Sequence, residues 1–531
     1  VIFSDVLQGM QSNNSQDVLE VWKTVQMQFQ EKHVLMNVAD IEIIDIQVDS
    51  RKVQKGSLFL CVQGSVTSGV QYIQDAIDKQ ATIVLVDEML VRDLGQIKEN
   101  DTVILHVPNL KAYMPQLLSV FYKSPGRDFL KVGITGTNGK TTIAQMCTHL
   151  LSYYDYTVLS LGTIENKIVS KDKEESSPAT LTTPGPVEFM ECLYLGQKKN
   201  CNALVMEVSS HALSQDRVQG VQYDRTLFTN LTQDHLDYHS SMEEYFAAKK
   251  KLFSHYQKKE GVAIVNIVSE YGKRLVRDIP NLNTLTYSTD KEHADLTLVS
   301  HSLSLEKTCF SVQYQSKEYV FESSLVGAIN LENLLAVVAF GFSLGLKSNI
   351  IAEAIRSIQV PGRNEKMVLQ NQAVAIVDYA HTPDALKRVI DSIRDLVSQK
   401  VICVFGCGGD RDKGKRKQMG TIASSLCDQI WITNDNPRTE APMQIIDHIL
   451  EGVDSSQKEK VFVCTDREKA IQEALSMSQK GDCILVAGKG HEDYQIIGTE
   501  KHYFDDREVI RTWNQQNVVI DAKLDKGESW N

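Results

Sequence analysis

The run Val132-Gly133-Ile134-Thr135-Gly136-Thr137-Asn138-Gly139-Lys140-Thr141-Thr142 constrains this chain more than any other stretch. A β-prone segment, Phe129 to Ile134, runs into glycines, and a helical pattern follows. Ile143, Met146, Cys147, Leu150, Leu151 and Tyr154 recur at the spacing of one helix face. Strand, glycine loop, Lys-Thr and helix is the layout of a phosphate-binding loop. Its glycines let backbone N–H groups approach phosphate oxygens, and the helix N-terminus adds positive dipole. Lys140 can reach the β- and γ-phosphates, and Thr141 can ligate magnesium. One position departs from the strict pattern, which wants glycine where Ile134 stands; Gly136 lies inside the loop instead. A bare Gly-Lys-Thr would suit an ordinary strand-to-helix turn, but the strand and amphipathic helix around it favour the phosphate loop.

At 531 residues the chain exceeds one hydrophobic core, and three domains are expected. A net charge of -12 disfavours a nucleic-acid partner. No apolar run approaches the roughly 20 residues that span a bilayer, so no membrane insertion is expected. Val1 to Met10 lacks the charged start and apolar core of a signal peptide. Ten cysteines are scattered without paired CxxC spacing, as in a reducing compartment. The expected location is the cytoplasm.

Residues 1 to about 40 are Gln-rich, with apolar positions at helical spacing (Val18, Val21, Trp22, Val25), and suggest no chemistry. An α/β pattern begins at Ile41 to Val48 and continues through Asp49-Ser50-Arg51 and a strand at Gly56 to Val62. A helix is expected at Tyr72 to Asp78 and a strand at Thr82 to Val86. Ser124-Pro125-Gly126 reads as a linker. Ile168 to Ala179, charged and Ser-rich, reads as an exposed loop before Thr182-Thr183-Pro184. Ala203 to Met206 is a strand pattern ending in Glu207-Val208-Ser209-Ser210-His211. Leu227 to Leu231 is another, followed by Asp234-His235-Leu236-Asp237-Tyr238-His239. Ligands of parallel α/β sheets gather beyond the carboxyl ends of strands. Lys140, Glu207 and His235 all fall there; each alone fits a solvated loop residue, and together they favour a site.

The helix pattern from Ser241 to Phe253 puts Lys249 on the same face as Met242, Tyr245, Phe246, Leu252 and Phe253. A lysine on an apolar stripe either snorkels or has a function. Burial favours its uncharged amine, which can add carbon dioxide to give an anionic carbamate. Periodicity by itself favours snorkelling. Beyond a boundary at Val360-Pro361-Gly362-Arg363, four strand patterns end in polar or Gly-rich strings. These are Asp378-Tyr379-Ala380-His381-Thr382-Pro383-Asp384, Gly406-Cys407-Gly408-Gly409-Asp410-Arg411-Asp412, Asn434-Asp435-Asn436-Pro437-Arg438 and Gly488-Lys489-Gly490-His491-Glu492. This suggests a Rossmann-like sheet with a ligand at its crest. Asp410 and Arg411 stand where a dinucleotide fingerprint would place its last glycine.

These strings, in this order from about Asp49 to Glu508, resemble the Mur ligases, and most closely the members that add the third residue of the peptidoglycan stem peptide. Ala247-Ala248-Lys249 and Pro361-Gly362-Arg363 belong to the same resemblance. It implies an α/β fold of three domains. Residues 1–126 would bind the UDP substrate, 127–361 would form a central P-loop-type parallel sheet for ATP, and 362–531 a Rossmann-like domain for the amino acid. Ser50 and the loop Ser65, Val66 and Thr67 would meet the UDP part. Thr182, Thr183, Ser209, Gln215 and Arg217 would hold the muramoyl-peptide. ATP would lie against Gly136, Thr137, Asn138, Gly139, Lys140, Thr141 and Thr142, with Arg363, Asp378 and His381 closing from the third domain. The amino-acid site would draw on Arg411, Asp435, Asn436, Pro437, Arg438, Gly488 and Glu492.

By the same resemblance, the catalytic residues would be Lys140, Glu207, His235 and Lys249. Thr141 and Glu207 would hold one Mg2+, and His235 with a CO2-derived carbamate on Lys249 a second, which reverses the preference for snorkelling. The reaction implied is ATP-dependent formation of an acyl phosphate on UDP-N-acetylmuramoyl-dipeptide, then attack by an amine. Asp-Asn-Pro-Arg implies meso-diaminopimelate over L-lysine, because Arg438 can bind a second carboxylate through two parallel hydrogen bonds. A monomer is expected. Folylpolyglutamate synthase or a D-Ala-D-Ala-adding enzyme would share the ATP machinery, but Asp-Asn-Pro-Arg and Gly-Lys-Gly-His-Glu argue against both. An ATP-gated switch has no need of Glu207, His235 and an inward Lys249. The chain departs from the family at Asn266-Ile267-Val268-Ser269, where aspartates are common at the last two positions, and at Asn364 and Asn434.

Overall fold

A computed structural model describes residues 1–11, 16–36, 41–64, 67–93, 101–236, 238–290, 294–356 and 358–524. Two compact units are present: Val1–Gly136 with Asp155–Thr226 and Gln233–Val262, and Thr137–Tyr154 with Leu227–Thr232 and Ala263–Asn531. No helix among the described residues is long and apolar enough to cross a membrane.

In the first unit, Asp45–Gln47, Ser57–Cys61, Ile83–Asp87 and Val103–Val107 form a parallel sheet in that order. Its three longer strands are mostly apolar, as burial on both faces requires. Val103–Val107 is one edge. There the helix Gln16–Met36 contributes Gln28, whose Oε1 accepts from the His106 amide at 2.9 Å and whose Nε2 donates to the His106 carbonyl at 3.4 Å. The helix Phe3–Gln11 lies against Leu110–Phe121 so closely that a Cβ on Gly9 would meet Val120 at 2.5 Å. The helices Phe3–Gln11 and Gln16–Met36 therefore extend the packing of this sheet.

The same unit carries Leu130–Thr135, which pairs parallel with Ala203–Glu207, itself parallel to Val158–Leu161. Two sequence expectations are corrected here. Residues 168–179 are not a loop: Glu165–Val169 and Glu174–Pro178 pair antiparallel as an exposed hairpin. Charge and serine made the segment look irregular, but a solvated edge hairpin tolerates both. The strand expected at Leu227 to Leu231 is Tyr223–Phe228, earlier in the chain. Its start was obscured by Asp224 and Arg225, which strand propensity disfavours.

In the second unit, Thr284–Ser288 and Leu296–Leu303 run parallel, and Thr308–Tyr314 and Lys317–Ser323 continue as an antiparallel meander. Six strands follow in the order Glu365–Val368, Val374–Asp378, Cys483–Ala487, Val401–Phe405, Gln429–Ile432 and Val461–Val463. The first is antiparallel and the others parallel. Alternate residues face opposite layers. Ile376, Cys403, Phe405 and Leu485 pack on Leu386 and Ile390, while Ala375, Ile402, Val404 and Ile484 pack on Ala470 and Ile471. Helices thus cover both faces, and the strand ends meet at one crest.

Candidate functional site

The phosphate loop is built as its glycines demand. Gly136 has φ 151° and Gly139 has φ 85°, where a side chain would strain the backbone. A Cβ on Gly139 would also come within 2.6 Å of Asn333 Oδ1. The next residue, Lys140, begins the helix Lys140–Tyr153, and its Nζ donates to the Thr137 carbonyl at 2.9 Å. Tyr154, expected on the buried face, instead caps the helix and is exposed. A second strand-end segment holds the loop. Asn230 accepts through its backbone O from Thr137 N (2.9 Å) and through Oδ1 from Asn138 N (2.9 Å), while Thr229 Oγ1 donates to Asn138 O (2.6 Å). Sequence reasoning missed Asn230, and also Asn330 and Asn333. The last two are buried polar residues three apart on the apolar helix Ala328–Ser343, a legible anomaly.

Glu207 ends its strand with 1% of its surface exposed. Its carboxylate accepts from Thr163 N at 2.7 Å and Thr163 Oγ1 at 3.1 Å. Any Cβ on Gly162 would lie 2.4 Å from Oε1, so this glycine makes room for the acid. With its proton given to Glu207, Thr163 Oγ1 accepts from Thr182 Oγ1 at 3.1 Å. Thr183 Oγ1 donates to the Glu207 carbonyl (2.9 Å) and accepts from Ser209 N (3.0 Å). Arg217 donates to Thr183 O (3.2 Å) and Gln215 Oε1 (2.9 Å). The residues expected to hold the muramoyl-peptide, Thr182, Thr183, Ser209, Gln215 and Arg217, thus form one connected cluster beside Glu207. Gly162 and Thr163 went unread because the short strand before them gave no motif.

Lys249 does not snorkel. It is 1% exposed on the helix Met242–Ser254, donates to the Gly136 carbonyl at 2.8 Å, and lies 4.6 Å over the Tyr245 ring. The His235 ring abuts the same tyrosine at 5.9 Å and the His211 ring at 4.9 Å. His235 has φ 53°, an uncommon left-handed conformation for a residue with a side chain, and its Nε2 is 3.6 Å from Asp234 Oδ2. Asp237, in the same string, is outside the described residues. Among the described residues, no group of three or more His, Cys, Asp or Glu could hold a metal.

At the crest of the six-stranded sheet, Asp378 accepts from the amides of Asn364 and Ala380, each at 2.8 Å. Burial pushes its carboxyl upward, against the opposing pull of Arg363 and these amides. The Arg363 guanidinium lies 4.4 Å over the Tyr379 ring, which His381 meets edge-on at 4.6 Å. Arg363, Asp378 and His381 are thus together, and Arg363 Nε is buried with no acceptor among the described residues.

The residues expected at the amino-acid site lie on three loops of the same crest. Arg438, at φ 50°, donates through Nη1 to the carbonyls of Gly409 (2.8 Å) and Asn436 (3.4 Å). It makes no pair with Asp435 or Glu440. Glu440 is taken by the buried Arg416 at 2.8 Å and by Asp410 N, and these partners hold its carboxyl down at about 2. Nε and Nη2 of Arg438 have no intramolecular acceptor among the described residues. Arg411 is exposed on the neighbouring loop. Asn436 Nδ2 donates to Glu492 Oε2 at 3.1 Å, and the fully buried Lys489 bridges Asn436 Oδ1 (3.3 Å) and Glu492 Oε2 (3.2 Å). Burial raises the Glu492 carboxyl and Lys489 opposes this. Gly488, at φ 113°, leaves room for Asp435, whose Oδ2 would lie 2.7 Å from a Cβ there. Pro437 closes the turn; its carbonyl would lie 1.9 Å from a Cβ on Gly409. Lys489 was not singled out from the sequence.

Between the first two strands of the four-stranded sheet, Ser50 is buried and its carbonyl accepts from Lys79 Nζ at 2.9 Å. Thr67 O accepts from Gly64 N at 3.0 Å. Ser65 and Val66 lie outside the described residues.

A loop shaped for nucleotide phosphates and a crest that gathers arginines beside carboxylates are the apparatus of an ATP-dependent ligase. Three family models match in succession: the Mur ligase family catalytic domain over residues 42–122, the Mur ligase middle domain over 134–341, and the Mur ligase glutamate ligase domain over 362–490. The chain is 40% identical to the UDP-N-acetylmuramoyl-L-alanyl-D-glutamate–2,6-diaminopimelate ligase of Synechococcus elongatus, covering 89% of this chain and 94% of that one. It is 40% identical to the enzyme of the same name from Clostridioides difficile, over 88% and 94%. A solved structure of a ligase of that name superposes with a TM-score of 0.65 at 29% identity, over 90% and 95%. The chain belongs to the Mur ligase family. It is an ATP-dependent, ADP-forming ligase of peptidoglycan synthesis, of the tripeptide-forming type.

Proposed function

We propose that the enzyme joins meso-diaminopimelate to UDP-N-acetylmuramoyl-L-alanyl-D-glutamate. The observation that carries this reading is Arg438, whose Nη1 is engaged by backbone carbonyls while Nε and Nη2 have no acceptor among the described residues, on the loop whose Asn436 is bonded to Glu492. meso-Diaminopimelate differs from lysine by a carboxylate next to the distal amine, and that arginine edge matches it. Arg411 supplies a second cation, and Gly488 and Glu492 accept from the ammonium.

The dipeptide carboxylate attacks the γ-phosphorus of ATP, the bond to ADP breaks, and an acyl phosphate forms. The amine of the amino acid then attacks the acyl carbon, a proton leaves the nitrogen, and inorganic phosphate departs from the tetrahedral intermediate. Both first reactants are anionic, so Lys140 and Arg363 neutralise charge on the transferring group. The loop Gly136 to Thr142 cradles the phosphates, and Asp378 and His381 engage the nucleotide. Thr182, Thr183, Ser209, Gln215 and Arg217 orient the peptide carboxylate; Ser50, Ser65, Val66 and Thr67 hold the uridine end. Magnesium, when bound, supplies charge neutralisation, and the oxygens of Thr141 and Glu207, His235 and a carbamate on Lys249 are a donor set that suits it. The buried, carbonyl-anchored Nζ of Lys249 supports that carbamate, formed when the amine adds to carbon dioxide and loses a proton.

Domains are assigned at 1–126, 127–361 and 362–531. The enzyme is read as a cytoplasmic monomer acting on small molecules, with no nucleic-acid partner. Phosphate release measured over a panel of amino acids tests the reading. It should require both the UDP-muramoyl-dipeptide and meso-diaminopimelate. Release independent of the dipeptide, or equal kcat/KM for lysine, would overturn it.

A further inference from the structure

The matched family segment stops at residue 490. Just beyond it, Tyr494–Ile497 and Glu500–Tyr503 form an antiparallel hairpin, with Gly498 in the turn at φ 61°. The hairpin is stitched to the loop that carries Arg438. Arg438 N donates to Ile496 O at 3.1 Å, and Gly498 N donates to Arg438 O at 2.8 Å. Ile496 N donates to Asn436 Oδ1 at 2.9 Å, and Gln495 Nε2 donates to Asp435 O at 2.7 Å. Four bonds thus reach Asp435, Asn436 and Arg438. Two of them clamp both backbone groups of Arg438, the residue in a left-handed conformation that its side chain disfavours. Every bond but one uses hairpin backbone; Gln495 is the side chain that contributes.

We propose that this hairpin, through Gln495, is the positioning device that aims Arg438 and so sets discrimination between amino acids with and without a distal carboxylate. The inference rests on the assignment of Arg438 to the amino-acid site. Gln495 touches no reacting atom and acts through Asp435. Loss of its bond lets the Asp435–Arg438 turn relax, moving the guanidinium off the line needed for two parallel bonds. The site then loses the carboxylate's contribution while Glu492, held by Lys489, still accepts from the amine.

The test uses the full-length enzyme and three variants. Gln495→Leu keeps the volume and removes the donor; Gln495→Lys restores an N–H. Gly498→Ala strains the turn with nothing within 4 Å to obstruct its methyl. Gln495→Leu and Gly498→Ala should each raise KM for meso-diaminopimelate by roughly fivefold to tenfold, the weight of one hydrogen bond. They should lower the preference over lysine by a similar factor, with KM for ATP within twofold of the unmutated enzyme. Gln495→Lys should recover most of the loss. Unchanged preference in both damaging variants overturns the proposal, as does an equal rise in KM for all three substrates. If the unmutated enzyme shows no preference, the assignment of Arg438 falls. If it shows one that the variants retain, only the role of the hairpin falls.

Discussion

Lys249 carries its charge-bearing atom into the interior, against a backbone carbonyl and an aromatic face. Holding an amine there is costly unless the site uses it. Lys249→Ala should be nearly inactive, and short-chain carboxylates such as acetate or propionate should restore part of the rate by standing in for a carbamate. Failure of rescue at high carboxylate concentration, together with unmodified lysine in a mass spectrum taken under carbon dioxide, would count against it. Arg438 is the companion case on the crest. Removing a charge-assisted donor from a desolvated site costs about 1.5–3 kcal/mol, and a site built for a polar group rejects the analogue lacking it by about 10⁴ or more. Arg438→Ala should therefore lose kcat/KM for meso-diaminopimelate by at least tenfold and much of its preference over lysine. Paired kinetics with the two amino acids check both.

At the scale of elements, the phosphate loop is a strand end, four residues and a helix start, with Lys140 held ready by the Thr137 carbonyl. Lys140→Ala should abolish ligation at saturating ATP while leaving the fold intact, because the lost charge acts on the transferring phosphoryl group; phosphate release and circular dichroism read the two. Beneath the crest, Arg467 and Asp506 form an ion pair with neither side chain exposed. Arg467 also donates to the carbonyls of Asn434 (3.2 Å) and Ala487 (3.0 Å), each next to a site residue. Arg467→Met would strand the Asp506 charge and cost about 3–5 kcal/mol, and adding Asp506→Leu should return most of it. Urea unfolding of the single and double variants measures this.

These elements also explain what the sequence made legible. Contiguous strings such as Gly136 to Thr142 and Asp435 to Arg438 carry their geometry locally, since turn, cap and functional group share a few residues. Gly162, Thr163, Asn230 and Gln495 act by reaching across to another loop, and nothing in their own neighbourhoods marks them. The misplaced strand at residue 227 has the same cause: Asp224 lies within it and accepts from the Lys131 amide of the next segment, so a residue that reads as a breaker is satisfied by a distant partner. Lys249 was visible as an anomaly, but whether its amine stayed buried depended on Gly136 and Tyr245.

For the molecule as a whole, acid is a particular stress. His491 is pushed down to about 3 by burial first, then by Arg363, Arg507 and Lys489. Folded, it stays neutral where the unfolded chain, with an ordinary value of 6.5, takes a proton. The unfolded state therefore gains protons first, and stability falls as pH drops from about 6.5 to about 3. One such group contributes up to about 1.4 kcal/mol per pH unit within that window. His491→Asn should flatten this slope, read from urea midpoints between pH 7 and pH 4, and leave stability above pH 7 with no new pH dependence.

The helix that offers Gln28 to His106 has one more consequence, and it concerns order in time. The segment Gln16–Met36 leaves the ribosome before Val103–Val107 does, so the groups that will occupy the strand's unpaired backbone are already synthesised when that strand emerges. A nascent sheet edge is the part of a chain most prone to pairing with a neighbouring polypeptide. Here its partner arrives first, from the same chain.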